Sequence, residues 1–169
     1  CVKYHNIINL LRAYKLLKEK YNFDLKFVLV LQILDKNYYS EIKDFISKNF
    51  KIGQIFLFHN LDSNYLPNLY RNANFYVFSS YCEVFGLTSL EAMSQGCPVL
   101  ISHKSALPEI NKDAAEYFDP DDIDQIAAGM NKILCNDNIK KNLIKKGNEH
   151  FKNFNWFHTV NETIKVLDI

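Results

Sequence analysis

Glu83 and Glu91 stand eight residues apart around a glycine-led helix start, Gly86-Leu87-Thr88. Glu83 falls in a small polar loop after a short apolar run. Glu91 is one i→i+3 step beyond Thr88, so both carboxylates can look toward the same mouth. A helix start leaves backbone N–H groups unspent, here those of Gly86, Leu87 and Thr88. It also carries the positive end of the helix dipole, and together these seat an anion. Carboxylates repel phosphate, so beside such a seat they suit hydroxyls. The ligand these residues suggest is a phosphate carrying a polyol, such as a sugar nucleotide. A Glu near a helix start also gains from the dipole alone, so the spacing by itself decides little.

The elements that must position these residues can be read from the pattern. Phe75–Phe78 is a short strand and Ser79–Cys82 a loop. Leu87–Gln95 is a helix stopped by Gly96, and Cys97–Ile101 starts the next strand. This strand–loop–helix–strand unit is the repeating piece of a parallel sheet, whose carboxyl edge is where ligands bind. Upstream, His5 or Asn6 can cap a helix from Ile7 to about Lys20. Leu25–Leu34 is an almost continuous apolar run, expected of a parallel strand covered on both faces. Tyr38–Asn49 is a second amphipathic helix, Ile55–Phe58 a strand, His59–Ser63 a loop, and Tyr65–Asn72 a short helix with Pro67 in its first turn. After Ile101 come a loop to Pro108, an edge strand near Glu116–Phe118 and a helix capped by Asp119–Asp122. Two helices, Asn138–Lys152 and Asn155–Leu167, close the chain. The alternation predicts an α/β fold: one Rossmann-like, doubly wound parallel sheet in a three-layer αβα domain over residues 1–169.

Composition narrows the function classes. At 169 residues and 48% hydrophobic, the chain can build one sizeable core. Twenty basic and 19 acidic residues leave a net charge of +1, which argues against a dominant nucleic-acid footprint. No apolar run reaches the roughly 20 residues of a membrane span. Cys1, Cys82, Cys97 and Cys135 are scattered without metal-ligand spacing, which suits a reduced, cytosolic chain and no bound metal. No G-x-G-x-x-G and no Walker loop are present, so dinucleotide and P-loop chemistry are not expected.

EVFGLTSLEAMSQGCPVL resembles the signature of retaining family 4 glycosyltransferases of the GT-B architecture: Glu, seven residues, Glu-Ala-Met, then Gly-x-Pro-Val. LPNLYRNANFYVFSS, SALPEINKDAAEYFDPDD and LIKKGNEHFKNFNW are similar to the family's flanking segments, in the same order. The resemblance implies the carboxyl-terminal, nucleotide-sugar-binding half of a GT-B enzyme. Glu83 would approach hydroxyls of the transferred sugar. Gly86, Leu87 and Thr88 would offer N–H groups to sugar and phosphate, and Glu91 would bind the ribose. Lys3 would grip the diphosphate, with Tyr4 in a slot where the family has a small residue. His59, where the family often has Gly, would lie near the base or diphosphate.

The same resemblance implies metal-independent transfer of a hexosyl unit to a glycan, lipid or other acceptor, with no cofactor beyond the donor. It implies a missing amino-terminal acceptor domain, and a missing first strand with its Arg, as partners of this piece. Any membrane contact would be peripheral and would belong to that other domain. Two alternatives stand beside it: a non-catalytic nucleotide-binding or interaction module, and a GT-B-type sugar-nucleotide epimerase, which would need its own acid and base. His103, His150, Cys82 and Glu109 read as structural or surface residues, and the aromatic set Phe151, Phe154, Trp156 and Phe157 as helix packing.

Overall fold

In a computed structural model, which describes residues 1–167, five parallel strands alternate with eight α-helices. The strands are β1 (Phe27–Leu31), β2 (Ile55–His59), β3 (Tyr76–Phe78), β4 (Val99–Ser102) and β5 (Glu116–Phe118). The helices are α1 (Ile7–Tyr21), α2 (Lys36–Asn49), α3 (Leu66–Asn72), α4 (Leu87–Ser94), α5 (Leu107–Asn111), α6 (Ile123–Cys135), α7 (Asp137–His150) and α8 (Trp156–Leu167). Parallel pairing throughout matches the βαβ reading, since each crossover carries a helix.

The sheet differs from the single one expected. β1 pairs with β2 in one ladder, and β3, β4 and β5 form another in that order. The segment before α1 bridges the two at their carboxyl ends. Asp35, after β1, donates its N–H to the Cys1 carbonyl at 3.1 Å, and Tyr81, after β3, donates to the Tyr4 carbonyl at 2.8 Å. Helix α1 covers the seam from one side. Its Leu10, Ala13, Tyr14 and Leu17 join Ile126, Met130 and Ile133 of α6 over Leu100 of β4. Its Ile7 and Leu11 join Leu29 and Leu31 of β1 and Ile42 of α2. On the opposite face of β4, Val99 and Ile101 pack with Leu90 and Met93 of α4 and Leu107 of α5. β4 is buried along its whole length, as the centre strand of three layers must be.

β1 does not meet the expectation of a strand covered on both faces. It runs only from Phe27 to Leu31, and burial alternates along it. Leu29 and Leu31 are buried, whereas Val28 and Val30 stand exposed beside Phe56 and Phe58 of β2. The continuous apolar run of the sequence hides a two-faced strand, because Val serves a buried and an open face equally well.

Three local differences follow from particular contacts. Asn6 precedes α1, but in a left-handed conformation with no side-chain cap; its amide donates instead to the Pro120 carbonyl at 2.7 Å. α2 starts two residues early because the Asp35 carboxylate accepts the N–H groups of Asn37 and Tyr38. α5 starts at Leu107, before the expected end of the loop at Pro108, which sits in its first turn, where a missing N–H costs nothing. Asp122 does cap α6 as expected, accepting from Gln125 N–H. No helix among the described residues is long and apolar enough to cross a membrane.

Candidate functional site

The loop from β3 to α4 is fixed from below by two buried serines. Ser79 Oγ lies 2.9 Å from the His5 carbonyl oxygen and 3.2 Å from that of Asn6. Ser80 Oγ lies 3.3 Å from the Tyr4 carbonyl oxygen and 3.1 Å from that of Cys82. Ser105, from the loop after β4, holds the Glu83 main chain. Its hydroxyl donates to the Glu83 carbonyl at 2.8 Å and faces the Glu83 N–H at 3.3 Å.

The Glu83 side chain, so positioned, points at the His5 ring. Its Oε1 lies 3.7 Å from His5 Nε2, and this oxygen is buried with no hydrogen-bond partner. Burial raises the Glu83 carboxyl above its ordinary pKa, with Ser80 partly offsetting the rise. Burial lowers that of His5. The two groups therefore face each other as a neutral imidazole and a reluctant carboxylate rather than as a tight ion pair.

Three residues further on, Gly86, with φ of 84°, immediately precedes α4. A Cβ there would meet Leu107 Cδ2 at 2.6 Å, so both the left-handed turn and the close approach of α5 require glycine. No side chain caps this helix, so the positive end of its dipole meets no side-chain acceptor there. Thr88 Oγ1 accepts from the Tyr76 hydroxyl at 2.9 Å. Glu91, on the exposed side of α4, lies with its Oε2 3.5 Å from the Tyr70 hydroxyl. Tyr70 and Tyr76 meet edge to face at 5.5 Å. Tyr76 thus stands between the carboxylates: after burial and Tyr70, both Glu83 and Glu91 push its phenol pKa up. Beside Glu91 runs a groove lined by Ser63, Leu66, Pro67 and Tyr70.

Glu83, Gly86, Leu87, Thr88 and Glu91 are therefore gathered around one helix start. Lys3 is not gathered there. Its ammonium sits 3.6 Å from Glu41 of α2, with both groups more than half exposed. His59 is exposed at the carboxyl end of β2, its ring edge-on to Tyr39 at 6.3 Å. His103 and His150 each bond a main-chain carbonyl, those of Phe118 at 2.8 Å and Ile110 at 2.6 Å. Tyr70, Tyr76 and Ser105 are contacts without an assignment in the sequence, and His5, expected only as a possible helix cap, faces Glu83 instead. Tyr76 alone had a signal, lying in the short strand that leads to Glu83. No group of three or more His, Cys, Asp or Glu side chains among the described residues is placed to hold a metal ion.

Residues 1–150 match the family model of glycosyl transferases group 1. The chain belongs to that family. It is 38% identical over 104 residues to an O-antigen chain mannosyltransferase B of Escherichia coli, covering 62% of this chain and 27% of that protein. A D-inositol 3-phosphate glycosyltransferase of Salinispora tropica is 31% identical over 103 residues, 60% of this chain and 21% of its own length. The chain thus spans about a quarter of these relatives. Among solved structures, the C-terminal domain of a glycosyl transferase group 1 protein from Francisella tularensis superposes with a TM-score of 0.77 at 24% identity, over 90% of this chain and 80% of that one. A sucrose-phosphate synthase from Thermosynechococcus elongatus reaches 0.85 at 23% identity, over 99% of this chain and 42% of that one. These likenesses show the fold: this group 1 chain is the carboxyl-terminal half of a GT-B architecture.

Proposed function

We propose that this group 1 glycosyltransferase domain binds the nucleoside diphosphate sugar donor of a retaining hexosyltransferase. The observation that carries the proposal is the buried, unpartnered Oε1 of Glu83, three residues ahead of the uncapped start of α4. A carboxylate oxygen without a donor is costly inside a protein, and a sugar hydroxyl would satisfy it. The N–H groups of Gly86, Leu87 and Thr88 would take the diphosphate, and Glu91, steadied by Tyr70, the ribose. The base would lie toward His59 at the end of β2.

In the reaction, the bond from the anomeric carbon to the diphosphate breaks as the acceptor oxygen bonds on the same face. The acceptor's proton passes to the departing phosphate oxygen, so no protein nucleophile is required. The domain's part is electrostatic: dipole and cationic groups stabilise the diphosphate as charge develops on it. Metal independence, absence of a further cofactor and a cytosolic setting belong to the same proposal, as does an acceptor site on an amino-terminal domain. A mannosyl donor is the first to try, since the Escherichia coli relative is named a mannosyltransferase.

Calorimetric titration with UDP, GDP, ADP and CMP tests the reading. One diphosphate should bind saturably, and Glu91→Ala should weaken it about tenfold, the effect of losing a charged hydrogen-bond partner. Equal, Glu91-independent binding of all four would favour a non-catalytic module instead.

A further inference from the structure

We infer that His5, rather than Lys3, is the cationic group that seats the donor's diphosphate, so that donor binding takes up a proton. The inference rests on the donor-site reading above and adds a residue and a proton to it.

The position of His5 is built. The short turn Lys3–His5 is tied to the β3–α4 loop by the Tyr81 N–H, Ser79 Oγ and Ser80 Oγ, which together engage the carbonyls of Tyr4 and His5. The ring stands edge-on to Tyr4 at 4.7 Å and lies 6.1 Å from Phe78. Tyr76 and Phe78 share one face of β3. At one end of that face the Tyr76 hydroxyl touches Thr88 of α4, and at the other Phe78 meets His5. His5 and the first turn of α4 therefore flank Glu83 along a single strand face.

The chemistry on the two sides of that face is complementary. At 3.7 Å, Nε2 and Oε1 are too far apart to close a hydrogen bond. Glu83 offers an acceptor for a hydroxyl, and an imidazolium offers a donor and a charge for an anion. A sugar joined to a phosphate presents both a hydroxyl and an anion. Lys3, two residues earlier in the turn, is directed to Glu41 instead.

The titratable groups facing the ring are Glu83 from the β3–α4 loop and Tyr4 of its own segment; Phe78 of β3 contributes only apolar surface. Burial leaves the imidazole neutral near pH 7, below its ordinary range. A diphosphate alongside stabilises the charged form and raises the His5 pKa in the complex. The sign follows. Affinity is highest below the free-state pKa. It falls by up to about tenfold per pH unit between the free and bound values, and levels off above the bound one.

The test uses UDP-glucose and GDP-mannose, whose diphosphates carry the same charge from pH 5 to 9. Calorimetry across that range, in two buffers of different ionisation enthalpy, reads affinity and proton uptake together. The wild-type chain should take up a fraction of a proton at pH 7 and lose affinity as pH rises. His5→Lys should bind with no proton uptake and a flat pH curve, and His5→Gln should bind weakly with an equally flat curve. Circular dichroism checks that each variant is folded. Donor binding that is weakened by Glu91→Ala, yet flat with pH in the wild type, would leave the donor site standing and overturn the role of His5. A pH dependence surviving in His5→Lys would overturn it equally. No binding of either donor at any pH would overturn the donor site and, with it, this inference.

Discussion

At the residue level, Glu83 is held where its ionised form is costly. Its carboxyl pKa is raised by burial. The neutral form is thus favoured by folding, and that contribution is lost as pH rises from the unfolded value through the folded one. Glu83→Gln should therefore raise the melting temperature at pH 7 and leave it nearly unchanged at pH 4, while weakening binding of the donor sugar. Thermal melts at the two pH values, paired with a titration, check both halves. His5 has the opposite sign: its lowered pKa makes stability fall as pH drops below its unfolded value. Thr88→Val deletes the acceptor of the half-buried Tyr76 hydroxyl and should cost roughly 1 kcal/mol in chemical denaturation. Glu83, Gly86 and Glu91 were legible because one short stretch holds their types and spacing. His5 was not. Its place depends on Ser79 and Ser80, more than seventy positions away, and on a turn that sends Lys3 one way and His5 the other.

At the level of elements, α4 is aimed by α5. The Gly86 turn admits Leu107, which is fully buried, directly against its backbone. Gly86→Ala adds both a left-handed penalty and a clash. It should cost about 2–4 kcal/mol, lowering the melting temperature by roughly 4–16 °C. The same change in a Leu107→Ala background should cost less than the sum of the two single changes, and a double-mutant cycle measures the difference. Helix α5 is not legible in the sequence because a proline such as Pro108 marks the end of a loop and the first turn of a helix equally well. The central unit β3–α4–β4 was readable for the opposite reason. Gly86 and Gly96 punctuate it, and its apolar runs are short enough to be assigned to strands by length.

For the molecule as a whole, the order of alternating elements fixed the architecture, while the break in the sheet depended on long-range pairing that no local pattern encodes. Helix α8 shows the same limit. The aromatics around it were read as packing, and Phe154 does meet His150 and Phe85, yet Trp156 is 80% exposed and Phe157 79%. Trp156 is the single tryptophan of the chain. Its emission should be that of a solvated indole and should change little through a urea transition that far-ultraviolet dichroism reports clearly. A marked red shift on unfolding would show that α8 is covered in solution.

The seam between the ladders also divides the molecule in time. β1 and β2 share no strand hydrogen bonds with β3, β4 and β5; α1 and the bridging turn join the two groups. Openings of the smaller ladder need not disturb the larger, so amide protons should exchange with deuterium in two sets. Those of Val28 and Leu57 would be released early by local opening, and those of Leu100 and Ile101 only with global unfolding. A ligand seated across the bridging turn, touching His5 on one side and α4 on the other, would slow the first set toward the second. Binding would then be visible as lost deuterium far from any atom it contacts.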